Sequence, residues 1–361
     1  MRSYLDHNAT SPLRPAAREA MLAALEATGN ASSVHGEGRR ARMVLEDSRE
    51  AIARAVGAMA PMLVFTGGGS EANNLALKGA PVERLIVSAI EHPSVLEAAR
   101  ASGKTVVEAP VTADGIVDLA ALARLLEGSP ALVSVMLANN ETGIIQPVAE
   151  IAQLAAGHGA LVHCDAVQAL GKMPVNFGLL GVDLMTLSAH KMGGPTGVGA
   201  LLARDWLKIA PLIHGGGQEL RRRAGTENLA AIAGWAAISR DKMNNINVLR
   251  DNLEATLEGA TIIGRSAPRL PQTSCFALPG MDAETLVMAF DLEGVALSAG
   301  SACSSGKVTR SHVLAAMGVP PELAKAAIRV SLGWDTGAEQ IEQFISAWRR
   351  ILVRHRARAA A

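Results

Sequence analysis

The chain has 361 residues, of which 49% are hydrophobic and 19% charged, and its 34 basic residues balance 34 acidic ones. A chain of this length can bury a large core and exceeds the usual size of one domain, so two domains are expected. The zero formal charge argues against a broad surface for nucleic acid or acidic membranes, because both require a basic excess or a clear basic patch.

The N-terminus and the cysteine content favour a cytoplasmic protein. The first residues, MRSYLDHNAT, lack the apolar core and the small-residue cleavage site of a secretory signal. Apolar runs break within about ten residues, well short of the roughly 20 that a membrane span needs. The three cysteines, Cys164, Cys275 and Cys303, are odd in number and form no CxxC pair, so we expect neither a disulfide framework nor a bound metal.

Strand-length apolar runs alternate with helical segments through the first two thirds of the chain. Amphipathic patterns predict helices over residues 14–27 and 38–56, with Pro15 tolerated in a first turn. The predicted strands are 62–66, 84–89, 105–110, 131–138, 161–165, 184–188 and 197–203. Several are continuously apolar, which is typical of strands covered on both faces. This alternation predicts an α/β fold with a mostly parallel sheet flanked by helices.

Polar clusters directly follow five of these strands, and in sheets of this type the ligand lies at the carboxyl ends of the strands. The clusters are GGGSEANN, EHPS, NNET, DAVQ and SAHK. From about Ala231 the pattern changes to a long helical stretch, a strand-like TSCFAL, and then helix, strand and helix. We therefore expect a large α/β domain over residues 15–230 and a smaller α+β domain formed by residues 1–14 and 231–361.

The segment FTGGGSE, residues 65–71, lies between a predicted strand and a predicted helix. Glycines such as Gly69 let the backbone approach an anion, and a helix N-terminus offers free N–H groups. Ser70 could cap the helix and donate its hydroxyl to a phosphate. A flexible turn with an ordinary serine cap explains the pattern equally well, since the spacing matches neither of the common phosphate-binding motifs.

Lys191 and Asp165 end neighbouring predicted strands, which places them on the same rim of the sheet. A lysine beside a histidine and glycines could form a Schiff base, although a solvated loop lysine is the simpler alternative. A carboxylate facing a pyridinium nitrogen is what pyridoxal phosphate needs as an electron sink. His92 could stack on such a ring or could serve only at a helix entry before Pro93. Asn140 and Gln168, each in a polar strand-end cluster, could hydrogen-bond the cofactor or the substrate.

Cys303 differs from the other two cysteines in its surroundings. It lies in SAGSACSSG, among small polar residues and glycines, whereas Cys164 and Cys275 lie in apolar runs. This context favours an exposed, mobile nucleophile. Arg329 interrupts an apolar segment and requires a partner, for which a substrate carboxylate and a structural ion pair are equally good candidates.

Taken together, these segments resemble the cysteine desulfurases of the NifS/IscS type, within the class V aminotransferase branch of fold-type I pyridoxal-phosphate enzymes. The likeness runs almost the full length, through YLDHNAT, FTGGGSEANN, EHPSV, NNETG, HCDAVQ, SAHKMGGPTGVGAL, GGGQE, RRAGTEN, RLPQTS, SAGSACSSG and IRVSLG. It implies a pyridoxal 5'-phosphate enzyme that converts L-cysteine to L-alanine, an obligate homodimer, and transient delivery of sulfur to an acceptor such as an iron–sulfur scaffold protein.

The resemblance also implies a role for each matching residue. Lys191 holds the cofactor covalently and shuttles the Cα proton, Asp165 pairs with the pyridine nitrogen, His92 stacks on the ring, and Gln168 bonds the ring hydroxyl. The phosphate is bound by Ser70, Ser188 and His190, together with Thr226 of the second subunit. Asn140 helps to hold cofactor and substrate, Arg329 binds the substrate carboxylate, and Cys303 attacks the substrate sulfur.

Two other functions remain open from the sequence alone. Another class V enzyme, such as an aminotransferase or a selenocysteine lyase, would share the cofactor pocket, so only Cys303 in its glycine-serine segment argues against a plain aminotransferase. A sulfur-relay or regulatory binding protein could have kept the fold and lost turnover, but the full set of catalytic residue types argues against it. The sequence does not identify the sulfur acceptor.

Overall fold

The computed structural model describes residues 2–243, 245–300 and 310–359. The strands among them are β1 (Ser3–Tyr4), β2 (Leu63–Thr66), β3 (Arg84–Ser88), β4 (Thr105–Ala109), β5 (Leu132–Ser134), β6 (Leu161–Asp165), β7 (Leu184–Ser188), β8 (Gly199–Ala203), β9 (Thr261–Ile262), β10 (Thr273–Ala277), β11 (Val295–Ala296), β12 (Ser298–Ala299) and β13 (Ala327–Ser331). The α-helices are α1 (Pro15–Glu26), α2 (Gly36–Ala55), α3 (Gly69–Gly79), α4 (Pro93–Arg100), α5 (Leu119–Leu126), α6 (Val148–Gly157), α7 (Phe177–Leu180), α8 (Leu229–Ile238), α9 (Ile246–Ala255), α10 (Ala283–Leu292), α11 (His312–Ala316), α12 (Pro321–Lys325) and α13 (Ala338–Ala359).

A seven-stranded sheet with the order β2-β8-β7-β6-β5-β3-β4 dominates the first part of the chain. The pairs within β7-β6-β5-β3-β4 are parallel, and β8 is antiparallel to both of its neighbours. Because a parallel sheet needs crossover connections, helices lie between successive strands. The predicted α/β fold with a mostly parallel sheet is confirmed.

The sheet is covered on both faces, because successive side chains of a strand point in opposite directions. In β3, Ile86 belongs to one apolar cluster, together with residues of α1, α2 and α8, whereas Leu85 and Val87 belong to a second cluster with residues of α3 and α4. This explains the continuously apolar strand sequences.

The strand predicted over residues 131–138 is shorter than expected and covers Leu132–Ser134. Beyond it, the amide groups of Val135 and Leu137 still donate to the carbonyl oxygens of His163 and Asp165, at 3.0 and 2.9 Å. The extended chain therefore stays alongside β6 and delivers Asn140 to the same edge of the sheet as Asp165.

A second, antiparallel sheet with the order β12-β13-β10-β9 lies in the C-terminal part. Its apolar cluster contains the aromatic residues Phe276, Phe290, Phe344 and Trp348, with ring centroids 4.9 to 6.3 Å apart. The N-terminal β1 pairs with β11, which ties the start of the chain to this part.

The long helical stretch predicted from Ala231 is two helices, α8 and α9. Trp235 of α8 is buried in the cluster of the large sheet and contacts Phe65 edge-on, with ring centroids 6.5 Å apart. The division of the chain into two domains at residue 230 stays a prediction.

Two of the three cysteines can be placed. Cys164 and Cys275 are buried in the strands, as their apolar sequence contexts indicate. Within the ranges that the structure describes, no helix is both long enough and apolar enough to cross a lipid bilayer.

Candidate active site

Loops from five strand ends converge on one cavity at the carboxyl edge of the large sheet, where the sequence places the polar clusters. The predicted site residues that line it are Gly69, Ser70, His92, Asn140, Asp165, Gln168, Ser188, His190, Lys191 and Arg329. The further lining residues, which the sequence did not single out as site residues, are Asn8, Ala9, Asn73, Ser94, Met136, Ala138 and Val167.

Two predicted site residues are not part of this lining. Thr226 is exposed and lies outside the cavity that the described residues of one chain form. Cys303 lies outside the described residues. The structure therefore leaves the roles of both as predictions.

One end of the cavity is the start of helix α3. The helix begins at Gly69, and its N-cap residue is Gly68, with φ +151°. The predicted serine cap is thus wrong, since Ser70 lies inside the first turn and the cap position needs a backbone conformation that glycine readily adopts. The first N–H groups of a helix have no intrahelical acceptor, and the helix dipole makes this end favourable for an anion.

Space at this end is limited by Val167. A Cβ atom at Gly69 would lie 2.9 Å from Cγ2 of Val167 and 3.6 Å from Cβ of Ser188. The neighbouring Glu71 is turned away from the cavity, since its carboxylate accepts the amide of Gly67 at 2.8 Å and pairs with Arg223 at 2.8 Å. The bare backbone of the first turn therefore faces the cavity.

The cavity also carries the carboxylate of Asp165. It accepts hydrogen bonds from Nδ2 of Asn73 at 2.8 Å and from the amide of Val167 at 3.0 Å. Hydrogen bonds donated to a carboxylate favour its charged form. Nearby, burial raises the pKa of Glu91 well above its usual value, and the charge of Asp165 raises it further.

Two histidines of the cavity are neutral near pH 7. His92 caps helix α4, where its Nδ1 accepts the amide of Ser94 at 3.1 Å, and Pro93 takes the first helical position. Burial lowers the pKa of His92, and lowers that of His190 to about 4 with help from the charge of Lys191. Because Nδ1 of His92 accepts a hydrogen bond, Nε2 carries its proton. The helix-entry role of His92 is thus observed, and it leaves an uncharged ring at the cavity.

Lys191 follows strand β7 in a short helical turn, and its Nζ donates to the carbonyl oxygens of Asn8 and Ala9, at 2.7 Å each. The N-terminal segment thus orients the amine. Asn8 also connects to the other side of the site, because its Nδ2 donates to the carbonyl oxygen of Asn140 at 3.2 Å and to Oγ1 of Thr273 at 2.9 Å. The sequence signal for this segment was its polar YLDHNAT motif.

Arg329, on β13, is 2% exposed and forms the structural ion pair that the sequence left open. Its NH2 group pairs with Oδ1 of Asp6 at 2.7 Å, and NH1 donates to the carbonyl oxygen of Asn140 at 2.9 Å. Its Nε is buried and has no hydrogen-bond partner within the described parts of the chain. A buried donor of a charged group without a partner is costly. Arg329 also lines the cavity, where its guanidinium is a suitable partner for a carboxylate.

Comparison with known proteins shows which family the chain resembles. The model of the family described as aminotransferase class-V matches residues 3–344. A cysteine desulfurase IscS of Dictyoglomus turgidum is 42% identical, over 97% of this chain and 94% of that protein, and a cysteine desulfurase of Cereibacter sphaeroides is 44% identical, over 94% and 92%. The X-ray structure of a NifS-like protein from Rickettsia africae superposes with a TM-score of 0.91 at 36% identity, covering 98% of this chain and 99% of that one.

These relatives confirm the resemblance to proteins of the NifS/IscS type that the motifs indicated, and the matches extend over nearly the whole of the chain and of each relative. The chain belongs to the aminotransferase class-V family.

Proposed function

We propose that this protein is a pyridoxal-phosphate-dependent cysteine desulfurase, which converts L-cysteine to L-alanine and transfers the sulfur to Cys303 as a persulfide. The observation that carries the proposal is the placement of Asp165, Lys191 and Arg329 around one cavity that also receives the start of helix α3. Relatives named cysteine desulfurases over nearly the full length support the same reaction.

The residues present fit pyridoxal phosphate. The bare backbone at Gly69, which a Cβ atom would crowd, is suited to the phosphate, together with Ser70, Ser188 and His190. Asp165, a buried carboxylate held by Asn73 and the amide of Val167, is suited to a protonated pyridine nitrogen. Lys191 lies at the same cavity, where its amine can form the covalent link, and the neutral ring of His92 can stack on the cofactor plane.

When bound, pyridoxal phosphate supplies an electron sink for the negative charge that develops on the substrate Cα. Asp165 favours this function, because its carboxylate stabilises the positive charge of the ring nitrogen. Lys191 takes the Cα proton on Nζ and returns a proton to the substrate. The carbonyl oxygens of Asn8 and Ala9 hold Nζ in place for both transfers.

The substrate carboxylate binds at Arg329, whose guanidinium lines the cavity and contacts Asn140. The salt bridge to Asp6 fixes the guanidinium, so that its orientation is set before the substrate arrives. Asn140, whose carbonyl oxygen accepts from Arg329, lines the same cavity.

Cys303 completes the reaction. Its thiolate attacks the substrate sulfur, the Cβ–S bond breaks, and the electron pair of that bond stays with the carbon fragment, which is protonated to alanine. The transferred sulfur remains on Cys303 as a persulfide, from which an added thiol reductant releases sulfide. Cys303 acts as the nucleophile here because the other two cysteines are buried, and burial raises the pKa of Cys275 to about 12.

The proposal includes a homodimer and a sulfur acceptor. The exposed Thr226 would reach the phosphate site of the second subunit, which would explain why it lies outside the cavity of its own chain. We further propose a cytoplasmic enzyme that delivers persulfide sulfur transiently to a protein such as an iron–sulfur scaffold, without binding nucleic acid or membranes.

The test is to supply L-cysteine and a thiol reductant and to measure alanine and sulfide together. Equal amounts of both are expected. Cys303→Ala should keep the bound cofactor and lose sulfide release, and Lys191→Ala should lose the covalent link. Formation of a keto acid without sulfide would instead identify an aminotransferase, and strict dependence on selenocysteine would identify a selenocysteine lyase.

A further inference from the structure

Lys172 is a buried lysine beside the cavity that the mechanism above does not use. It follows Gln168 by one turn, and it is only 5% exposed. Its Nζ donates to Oε1 of Gln168 at 2.6 Å and to Oδ1 of Asn8 at 3.2 Å. Lysine is almost never buried without partners, so these two oxygens account for its position.

The contacts of Lys172 fix the direction of the Gln168 side-chain amide. Its oxygen faces Nζ of Lys172, and its nitrogen donates to the carbonyl oxygen of Asn8 at 2.9 Å. If the two ends of the amide exchanged places, an NH2 group would face the amine and an oxygen would face a carbonyl oxygen. An amide nitrogen has two N–H groups, and only one of them is used by Asn8. Gln168 also lines the cavity, and its second N–H is not used by Asn8.

We infer that Lys172 is a positioning residue, which holds the Gln168 amide so that the cavity presents an N–H donor to the ring oxygen of the cofactor and thereby favours the anionic form of that oxygen. The inference rests on the proposed function, since the ring oxygen belongs to pyridoxal phosphate. Lys172 acts through Gln168 and Asn8 and does not itself line the cavity.

The charges around Lys172 favour the same form. Burial lowers the pKa of Lys172 well below its usual value, and the charges of Lys191 and Arg329 lower it further. Asp6 offsets part of this positive field through its pair with Arg329. An anionic oxygen next to Gln168 would offset more of it.

The experiment compares Lys172→Met with Lys104→Met, a matched control. Lys104 is a half-buried lysine that, like Lys172, donates to two oxygens, the carbonyl groups of Leu77 at 2.9 Å and Ala80 at 2.6 Å, but it lies outside the cavity lining. Both variants and the wild type are loaded with pyridoxal phosphate. The visible absorption band of the bound cofactor is recorded against pH, and the dissociation constant of the cofactor is measured by reconstitution of the apoprotein.

Without Lys172, the N–H donor of Gln168 is no longer held toward the anionic ring oxygen. The bound cofactor should therefore hold the proton whose loss changes its absorption more tightly. The midpoint pH of the absorption change should therefore rise, by about a tenfold change in proton affinity. The dissociation constant should rise about tenfold, as for the loss of one good hydrogen bond. Lys104→Met should match the wild type in both measurements.

The inference is overturned if Lys172→Met and Lys104→Met give the same absorption midpoint while the wild type binds the cofactor. A wild type that binds no pyridoxal phosphate is a different outcome, which would overturn the proposed function as well. If Lys172→Met does not fold, Gln168→Glu replaces it, because a carboxylate pairs with Lys172 but offers the cavity no N–H. The same rise is then expected, and an unchanged midpoint contradicts the inference.

Discussion

Replacing Gly69 by alanine would place a methyl group at the start of helix α3, where the phosphate is proposed to bind. The new Cβ atom would lie 2.9 Å from Cγ2 of Val167, whereas carbon atoms in contact prefer about 3.5–4.0 Å. Because valine is stiff about χ1, its methyl group cannot move away freely. Overpacking of this kind costs about 1–3 kcal/mol, so we expect Gly69→Ala to lower the free energy of unfolding by that amount.

The assay is a double-mutant cycle with Val167→Ala, which removes the methyl group that alanine at 69 would contact. In this background Gly69→Ala should be neutral, or stabilising by up to about 1 kcal/mol through helix propensity. Chemical denaturation of the four apoproteins gives the coupling energy. The dissociation constant of pyridoxal phosphate should rise in the single Gly69→Ala variant and recover in the double variant.

Equal unfolding midpoints for the wild type and Gly69→Ala would refute this reasoning, because the site would then have room for a side chain. The same conclusion would follow if Val167→Ala did not change the effect of Gly69→Ala. In either case, crowding by a side chain would not explain why glycine occupies this position.

Three further predictions concern buried charges. Glu219→Gln should lower the unfolding free energy by about 1–3 kcal/mol, because Arg49 loses one of its two hydrogen bonds to this carboxylate, at 2.7 Å each, and keeps only the charge of Glu46. Glu97→Gln, in an exposed pair, should change little in the same denaturation assay. Burial raises the pKa of Glu141 to about 7, from the usual 4.5. The stability that its protonated form provides is therefore full below pH 4.5 and is lost as the pH rises through about 7. Urea titrations at several pH values should show this loss in the wild type and not in Glu141→Gln. A parallel pH dependence in both proteins would contradict the prediction. Asp165→Asn should keep the cofactor bound yet lower the rate of alanine formation by about 10²–10³, as for the loss of one electrostatic stabiliser, and an unchanged rate would remove Asp165 from the mechanism.

The sheet and much of the site could be predicted from the sequence, because both depend on local patterns. Asp165 and Lys191 end apolar strands, and parallel strands bring their carboxyl ends to one edge, so their convergence follows from the order of the strands. The predicted bounds of most strands agree with the observed bounds to within two residues, for the same reason. The exception, residues 131–138, continues as extended chain after the regular ladder ends.

Contacts between distant segments could not be predicted. Asn8 lies 160 or more residues from Gln168, Lys172 and Lys191. The polar YLDHNAT motif marks the N-terminal segment, but no local pattern identifies these three residues as its partners. A lysine in a loop is usually solvated, so the burial of Lys172 has no local signal either.

Backbone strain was equally invisible. Glu219, Leu220 and Arg221 all have positive φ angles, between 47° and 64°, which non-glycine residues rarely adopt. Their conformation is maintained by the buried pair of Glu219 with Arg49, a contact 170 residues apart in the sequence.

The central claim is that sulfur passes from the substrate to Cys303. It is tested most directly by mixing the cofactor-loaded enzyme with one equivalent of L-cysteine, without reductant, and mapping the protein by mass spectrometry after one turnover. The account predicts one alanine per active site and one added sulfur atom on the peptide that contains Cys303. Alanine formed with no added sulfur on that peptide, or with sulfur on Cys164 or Cys275 instead, would contradict it.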